Sequence, residues 1–399
     1  MKLITNSSYI SNESCITNLF YKRSTMRYGE KIPNFKYNTN LITGITTCDY
    51  IVADMFWNPI GDSFLFLSVL KAAEDYINLV RKDNPPKWVI GSKFSNLLLH
   101  INFLRNAKVV DSGVEWFKLE YKKGNKVVLI TDTDPFSMGE YNPIFNSENY
   151  KYPKFIENRD KKVPISYSSR PARYYLTFER EVGRILLDPN NSIPLFTFKN
   201  SPKLNKKITE RYSIDITSKD IKYLALISQT KKVEKKFGSL RYLALAKRLI
   251  EYDKNIHIFF IANKDEESPK EWLQVLKILN NKKITLLDTS DFEELSYAFS
   301  RCSLVIGNDT GFSHMSAMSK FYNQNEPTKT MIIYSDHDYS KWCTGKSNVI
   351  PVTSKLSRYL AKNSFSIRRG DIDLNKWDKC IWAYNISVSK VFKQTIKLL

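Results

Sequence analysis

The chain has 399 residues, more than a single hydrophobic core usually organises, so two domains are expected. With 61 Lys and Arg against 41 Asp and Glu, a formal charge of +20, it suits an anionic partner: a phosphorylated glycolipid, membrane headgroups or nucleic acid. The apolar content is too high for overall disorder, and the five cysteines (Cys15, Cys48, Cys302, Cys343, Cys380) form no C-x-x-C pair, which argues against a disulfide framework or a zinc site and for a reducing compartment.

Residues 1–45 are polar and aperiodic and read as an N-terminal extension. From 46 onward strand-like and helix-like pieces alternate: strands at Tyr50–Phe56, Trp88–Gly91, Lys108–Val110 and Lys126–Thr131, with helices from Asp62 to about Arg81 and near 93–104. The tract 135–171, rich in Pro, Asn, Tyr and Lys, breaks the pattern as a long loop over a site does, and a helix around 174–187 follows. Two Pro-containing stretches, 188–194 and 199–203, then punctuate the chain. A second alternating series has strands at 221–228, 256–262, 284–288, 303–307 and 330–334. These runs predict an α/β protein with two parallel sheets: a first domain over 46–215, a second over 216–377, and a last helix within 378–399. The first nine residues hold no apolar signal segment, and no stretch reaches membrane-spanning length, so a cytoplasmic protein is expected, with peripheral attachment to the inner face of the inner membrane left open.

The richest stretch is Ser303–Met318, an apolar strand that stops at Asn308-Asp309-Thr310-Gly311 and restarts with helical spacing. A buried strand emptying into a helix N-terminus leaves backbone N–H groups aimed at one point, which suits a phosphate. Gly311 admits a ligand to the backbone, Thr310 and Ser313 offer hydroxyls, and Asp309 and His314 add a carboxylate and an imidazole. Three other features admit two readings each. Asp62 caps a helix or serves as a general base. Lys235 and Lys236 end a cationic run that is either a solvated face or a counter-charge for a leaving diphosphate. Glu266 and Glu267 follow a strand, where carboxylates face solvent or bind ribose, and the sequence does not choose between the two.

Asp309-Thr310-Gly311-Phe312-Ser313-His314 resembles the donor-site signature of glycosyltransferase family 9, the ADP-heptose:lipopolysaccharide heptosyltransferases. The resemblance continues in Lys235-Lys236-Phe237 before a helix, in Asp265-Glu266-Glu267 after a strand, in the helix at Asp291–Ala298, and in Gly61-Asp62 near the first strand. It implies a GT-B architecture, two Rossmann-like domains with parallel sheets facing across a cleft, whose last helix crosses back to the first domain. It implies an inverting, metal-independent transfer of a heptose or related sugar from an ADP-activated donor to an anionic glycolipid. Asp62 would be the base; Lys235, with Lys236 as the alternative, Glu266 or Glu267, Asp309, Thr310, Gly311, Ser313 and His314 would hold the donor. No cofactor and no nucleic-acid partner are expected.

Two features depart from that pattern. The strand Met331–Tyr334 leads into Ser335–Ser340 instead of a Gly and a Thr/Pro loop, and residues 1–45 and 135–171 have no counterpart. The alternatives weighed are a protein glycosyltransferase or a sugar-nucleotide epimerase of the same fold and, further off, a nucleic-acid-binding protein, for which no signature is present. Asp309-Thr310-Gly311 also occurs in aspartic proteases, but those are β- and glycine-rich, and this chain has 13 Gly and turns helical after Gly311. Asp336-His337-Asp338 reads as a turn, because three consecutive residues rarely converge on one ion.

Overall fold

The computed structural model describes residues 47–55, scattered positions of a helical stretch between 61 and 77, and residues 81–103, 106–131, 150–151, 195–335, 339, 347–362, 383 and 386–399. The extension 1–45, Asp62, most of the tract 135–171, the helix expected at 174–187 and the turn Asp336–Asp338 lie outside these residues.

Two parallel sheets form from the apolar runs, as buried parallel strands require. The first contains β1 (Tyr50–Asp54), β2 (Lys87–Gly91), β3 (Lys108–Val110), β4 (Val127–Thr131) and β5 (Tyr150–Lys151) in the order β3-β2-β1-β4-β5. Short helix α1 (Ser95–Leu98) follows β2, and α2 (Gly113–Lys122) follows β3; the helix expected near 93–104 is thus a single turn. A two-stranded parallel ribbon pairs β6 (Phe196–Phe198) with a later segment, and α3 (Pro202–Tyr212) leads out of it.

The second sheet contains β7 (Lys222–Ile227), β8 (Ile256–Ile261), β9 (Ile284–Leu286), β10 (Leu304–Asn308), β12 (Thr330–Tyr334) and β13 (Val349–Thr353). Their order is β13-β12-β10-β7-β8-β9, again all parallel. Helices α4 (Ser239–Tyr252), α5 (Pro269–Leu279), α6 (Phe292–Ser300) and α7 (Gly311–Met318) connect these strands; β11 (Ser319–Phe321), the partner of β6, follows α7, and α8 (Lys355–Lys362) follows β13. In both sheets the chain builds outward on one side, returns to the centre and continues on the other. The resulting switch points lie between β1 and β4 and between β7 and β10, where open α/β sheets bind ligands at the carboxyl ends of their strands.

One hydrophobic cluster joins the two halves, running from Ile51 and Ile90 through Phe196 and Phe198 to Ile227, Phe259 and Met315. Around it Phe94 meets Phe292 edge-on at 5.9 Å, and His100 Nε2 lies 2.7 Å from Glu293 Oε1. Helix α3, assigned to the first domain by the sequence reading, packs on α6 of the second sheet: Lys207 and Arg211 both reach Glu294, at 3.2 Å, whose side chain is almost fully buried. The described part of the last helix, α9 (Val388–Ile396), lies on α4, where Arg248 covers the Phe392 ring at 4.5 Å and donates to Ser389 Oγ at 2.9 Å. Val388, Val391 and Phe392 form an i, i+3, i+4 apolar stripe, and that stripe is buried with Leu249 and Ile250. Among the described residues no helix is long and apolar enough to cross a membrane.

Candidate functional site

The site grows from the turn after β7. Val233–Lys235 form one 3-10 turn, with Lys235 N donating to Lys232 O and Lys236 N to Val233 O, both at 3.0 Å. Phe237 is fully buried edge-on to Tyr242, and its N–H donates at 3.2 Å to Oδ1 of Asn308, the last residue of β10. Asn308 in turn donates through Nδ2 to Ser228 O at 2.8 Å, tying the ends of β7 and β10 together. Gly238 has φ of 102°, a left-handed conformation that lets the chain leave this anchor and enter α4. An aromatic anchor directly after two lysines therefore fixes where the lysines point.

Lys235 reaches across the switch point to Asp309. Its Nζ donates to Asp309 Oδ2 at 2.5 Å and to the Asp309 carbonyl at 3.2 Å, and His314 Nε2 lies 3.2 Å from Oδ1. Since a carboxylate only accepts, Nε2 carries the ring proton. The Asp309 side chain is 2% exposed and that of Lys235 13%. Burial alone would push the Asp309 carboxyl up, but the Lys235 ammonium, with His314 beside it, outweighs burial and holds the group well below the usual carboxylate range.

Helix α7 starts at this cluster. Thr310 is its N-cap residue but makes no side-chain capping bond, and the first intrahelical bond runs from His314 N to Thr310 O. The N–H groups of Gly311, Phe312 and Ser313 thus precede the helical ladder. Thr310 Oγ1 is buried and has no hydrogen-bond partner among the described residues. Ser313, expected to offer its hydroxyl to a ligand, donates instead to Asn308 O at 2.6 Å and closes the strand-to-helix turn.

The two glutamates separate in the same way. Glu267 accepts from Lys236 Nζ at 2.8 Å and from Ser239 Oγ, and is nearly fully buried. Lys236 also donates to Glu266 O at 2.7 Å, so Lys236 and Glu267 together brace the turn after β8. Glu266 accepts from Thr230 N through Oε2, while its Oε1 is buried without a partner among the described residues. Burial pushes the Glu266 carboxyl up, against the backbone donor and Lys236. Of the ten residues expected in the site, Lys235, Glu266, Asp309, Thr310, Gly311 and His314 converge with unspent ligand-binding capacity or charge around one switch point. Lys236, Glu267 and Ser313 support them, and Asp62 lies outside the described residues.

Gly61, the residue before Asp62, lies directly against α7. A Cβ built on Gly61 would come 3.2 Å from Gly311 Cα and 3.6 Å from His314 Cδ2, so the chain leaving β1 at the first switch point returns onto the second. This contact had no local signal in the sequence. Gln229 is a second residue that sequence reading passed over: its Oε1 is buried and unpartnered among the described residues, and its only signal was a polar side chain at the carboxyl end of an apolar strand. Among the described residues no group of three or more His, Cys, Asp or Glu side chains could hold a metal ion.

Residues 189–350 match the family model of glycosyltransferase family 9 (heptosyltransferase), which bears out the resemblance over that stretch. No curated protein sequence matches the chain. Solved structures agree on the fold. A family 9 glycosyltransferase from Veillonella parvula is 15% identical, covers 88% of this chain and 98% of its own, and has a TM-score of 0.56. The ADP-heptose LPS heptosyltransferase II of E. coli is 13% identical over 87% of this chain and 98% of its own, at 0.55. The E. coli heptosyltransferase WaaC, solved with ADP, is 11% identical over 88% of this chain and 100% of its own, at 0.50. The architecture is therefore that of the GT-B glycosyltransferases, α/β with two Rossmann-like parallel sheets.

Proposed function

We propose that this relative of glycosyltransferase family 9 transfers a heptose or related sugar from an ADP-activated donor to a phosphorylated lipopolysaccharide or lipooligosaccharide core acceptor, by a single displacement with inversion. The observation that carries this reading is the Lys235–Asp309–His314 cluster at the N-terminus of α7, placed at the switch point and covered by Gly61. An acceptor hydroxyl loses its proton to the Asp62 carboxylate, and its oxygen attacks the anomeric carbon. The bond from that carbon to the diphosphate oxygen breaks, and its electron pair leaves with ADP. Lys235 and the first-turn N–H groups of α7 stabilise the charge that develops there. Glu266, with one unspent acceptor, suits the ribose hydroxyls. An excess of +20 in charge favours an acceptor bearing phosphates, met at the inner face of the inner membrane.

Thermal melting with ADP tests the nucleotide site. ADP is expected to raise the melting temperature, with a stabilisation that grows as the logarithm of its concentration once that exceeds Kd. Thr310→Val removes a buried hydroxyl that bonds to nothing among the described residues, so it should leave the unliganded melting temperature unchanged or higher. It should weaken ADP by about tenfold or more, the scale of a hydrogen bond to a charged group. Undiminished ADP affinity in Thr310→Val would remove this residue from the donor site, and no ADP protection of the wild type would remove the reading itself.

The cationic turn at 231–236 supplies counter-charge without a divalent ion, so transfer is expected to survive EDTA. Loss of activity in chelator that manganese or magnesium restores would overturn this leaving-group model.

A further inference from the structure

We infer that Gln229 reads a hydroxyl of the transferred sugar, which makes it a specificity-determining residue of the donor site; the inference rests on the glycosyltransferase reading above. Strand alternation sets the direction of its side chain. Ser228 turns its Oγ toward α4, bonded to Ser239 Oγ at 2.9 Å. Ile227 faces the other way: a Cβ built on Gly307 would come 2.9 Å from Ile227 Cβ and 2.2 Å from Ser313 Oγ on α7. β7 ends at Ile227, but the two strands stay tied past that end, since Asn308 Nδ2 donates to Ser228 O at 2.8 Å; carried on by two residues, the alternation puts Gln229 on the α7 face, level with Asp309.

This position lies between two markers. On one side is Glu266, whose Oε2 binds the N–H of Thr230, the next residue, and whose free Oε1 suits ribose. On the other is Gly61 against Gly311 and His314, where the chain enters Asp62 and the acceptor must arrive. The group held between nucleotide and acceptor is the sugar being transferred.

The chemistry of the side chain agrees. Its buried Oε1 lacks a donor among the described residues, and leaving such an acceptor unpaired costs stability that a ligand hydroxyl would return. A carbonyl oxygen repels phosphate oxygens and pairs with O–H groups, so a polyhydroxylated sugar satisfies it and a diphosphate does not. Replacing the amide by an apolar side chain of similar length should thus discriminate between the sugar and the nucleotide.

Calorimetric titration of wild type, Gln229→Met and Gln229→Ala with ADP and with ADP-heptose tests this, with melting temperatures recorded for each variant. Both variants should melt at or above the wild-type temperature and bind ADP within about twofold of wild type. Their affinity for ADP-heptose should fall by about five- to tenfold, the scale of one neutral hydrogen bond. Equal losses for the two ligands, or none for either, would overturn the assignment of Gln229 to the sugar. A wild type that binds neither ligand would instead overturn the donor reading, and that result appears in the wild-type arm before any variant is compared.

Discussion

Asp62→Asn is expected to lower turnover by about two to four orders of magnitude while leaving thermal stability nearly unchanged. Asn keeps a side-chain oxygen that can accept from helix N–H groups, so it serves as a cap, but it cannot take up a proton. The case for a base rests on Gly61, whose contact with Gly311 and His314 brings the first switch point onto the second. A base must also be ionised, and the sequence from Trp57 to Ile60 places no cation beside it in the chain. Single-turnover rates with saturating donor separate the chemical step from binding. If Asp62→Asn turns over near-normally while Asp62→Ala loses about 1 kcal/mol of stability, Asp62 is only a cap. In that outcome Asp132 or Asp134, after β4, becomes the base to test.

The strands were legible because a parallel strand buried on both faces is a continuous apolar run. Of the nine strands the sequence places, Lys108–Val110 and Thr330–Tyr334 fall where expected, β1 and β9 end two residues short, and the other five differ by one residue at one or both ends, while β5 and β13 lie outside the expected runs. The β6–β11 ribbon was not legible: three-residue strands carry no period, and their partners lie more than a hundred residues apart in the chain. Helix α3 was legible and misread. Ser201 caps it by accepting from Leu204 N and Pro202 occupies its first turn, the start signals of a helix, yet a Pro-containing stretch at 199–203 reads equally as punctuation between elements. At the site, the residue types and their order gave the location, since Asp309, Thr310 and His314 share one turn. The sequence left the adjacent carboxylates Glu266 and Glu267 unassigned and preferred Lys235 to Lys236 only through the resemblance; the direction each side chain takes follows from a 3-10 turn, Val233–Lys235 before Phe237 and Lys264–Glu266 after β8, and such turns leave no trace in composition.

Lys235→Met should produce the largest change in stability, and should reverse its dependence on pH. In the wild type Asp309 has a folded-state pKa below its unfolded value, so its contribution is complete above the ordinary carboxylate range near 3.9 and is lost progressively as pH falls below that range toward the lower folded-state value. Removing the Lys235 ammonium leaves a buried carboxylate with His314 as its remaining ionisable partner, a change that costs about 3–5 kcal/mol when a buried pair is broken. Burial then acts unopposed by the lysine and raises the Asp309 pKa. The variant should therefore gain stability as pH falls from about 7.5 to 5, as Asp309 takes up a proton, whereas the wild type should show no such gain from this cluster. Urea unfolding at the two pH values reads both effects. Adding Asp309→Asn to Lys235→Met should recover much of the loss at neutral pH, because the orphaned charge is gone while the hydrogen bond from His314 can persist. A Lys235→Met protein that loses less than about 1 kcal/mol and shows no acid-side gain would mean that Asp309 does not depend on Lys235 for its charge, and the electrostatic basis of the site would fall with it.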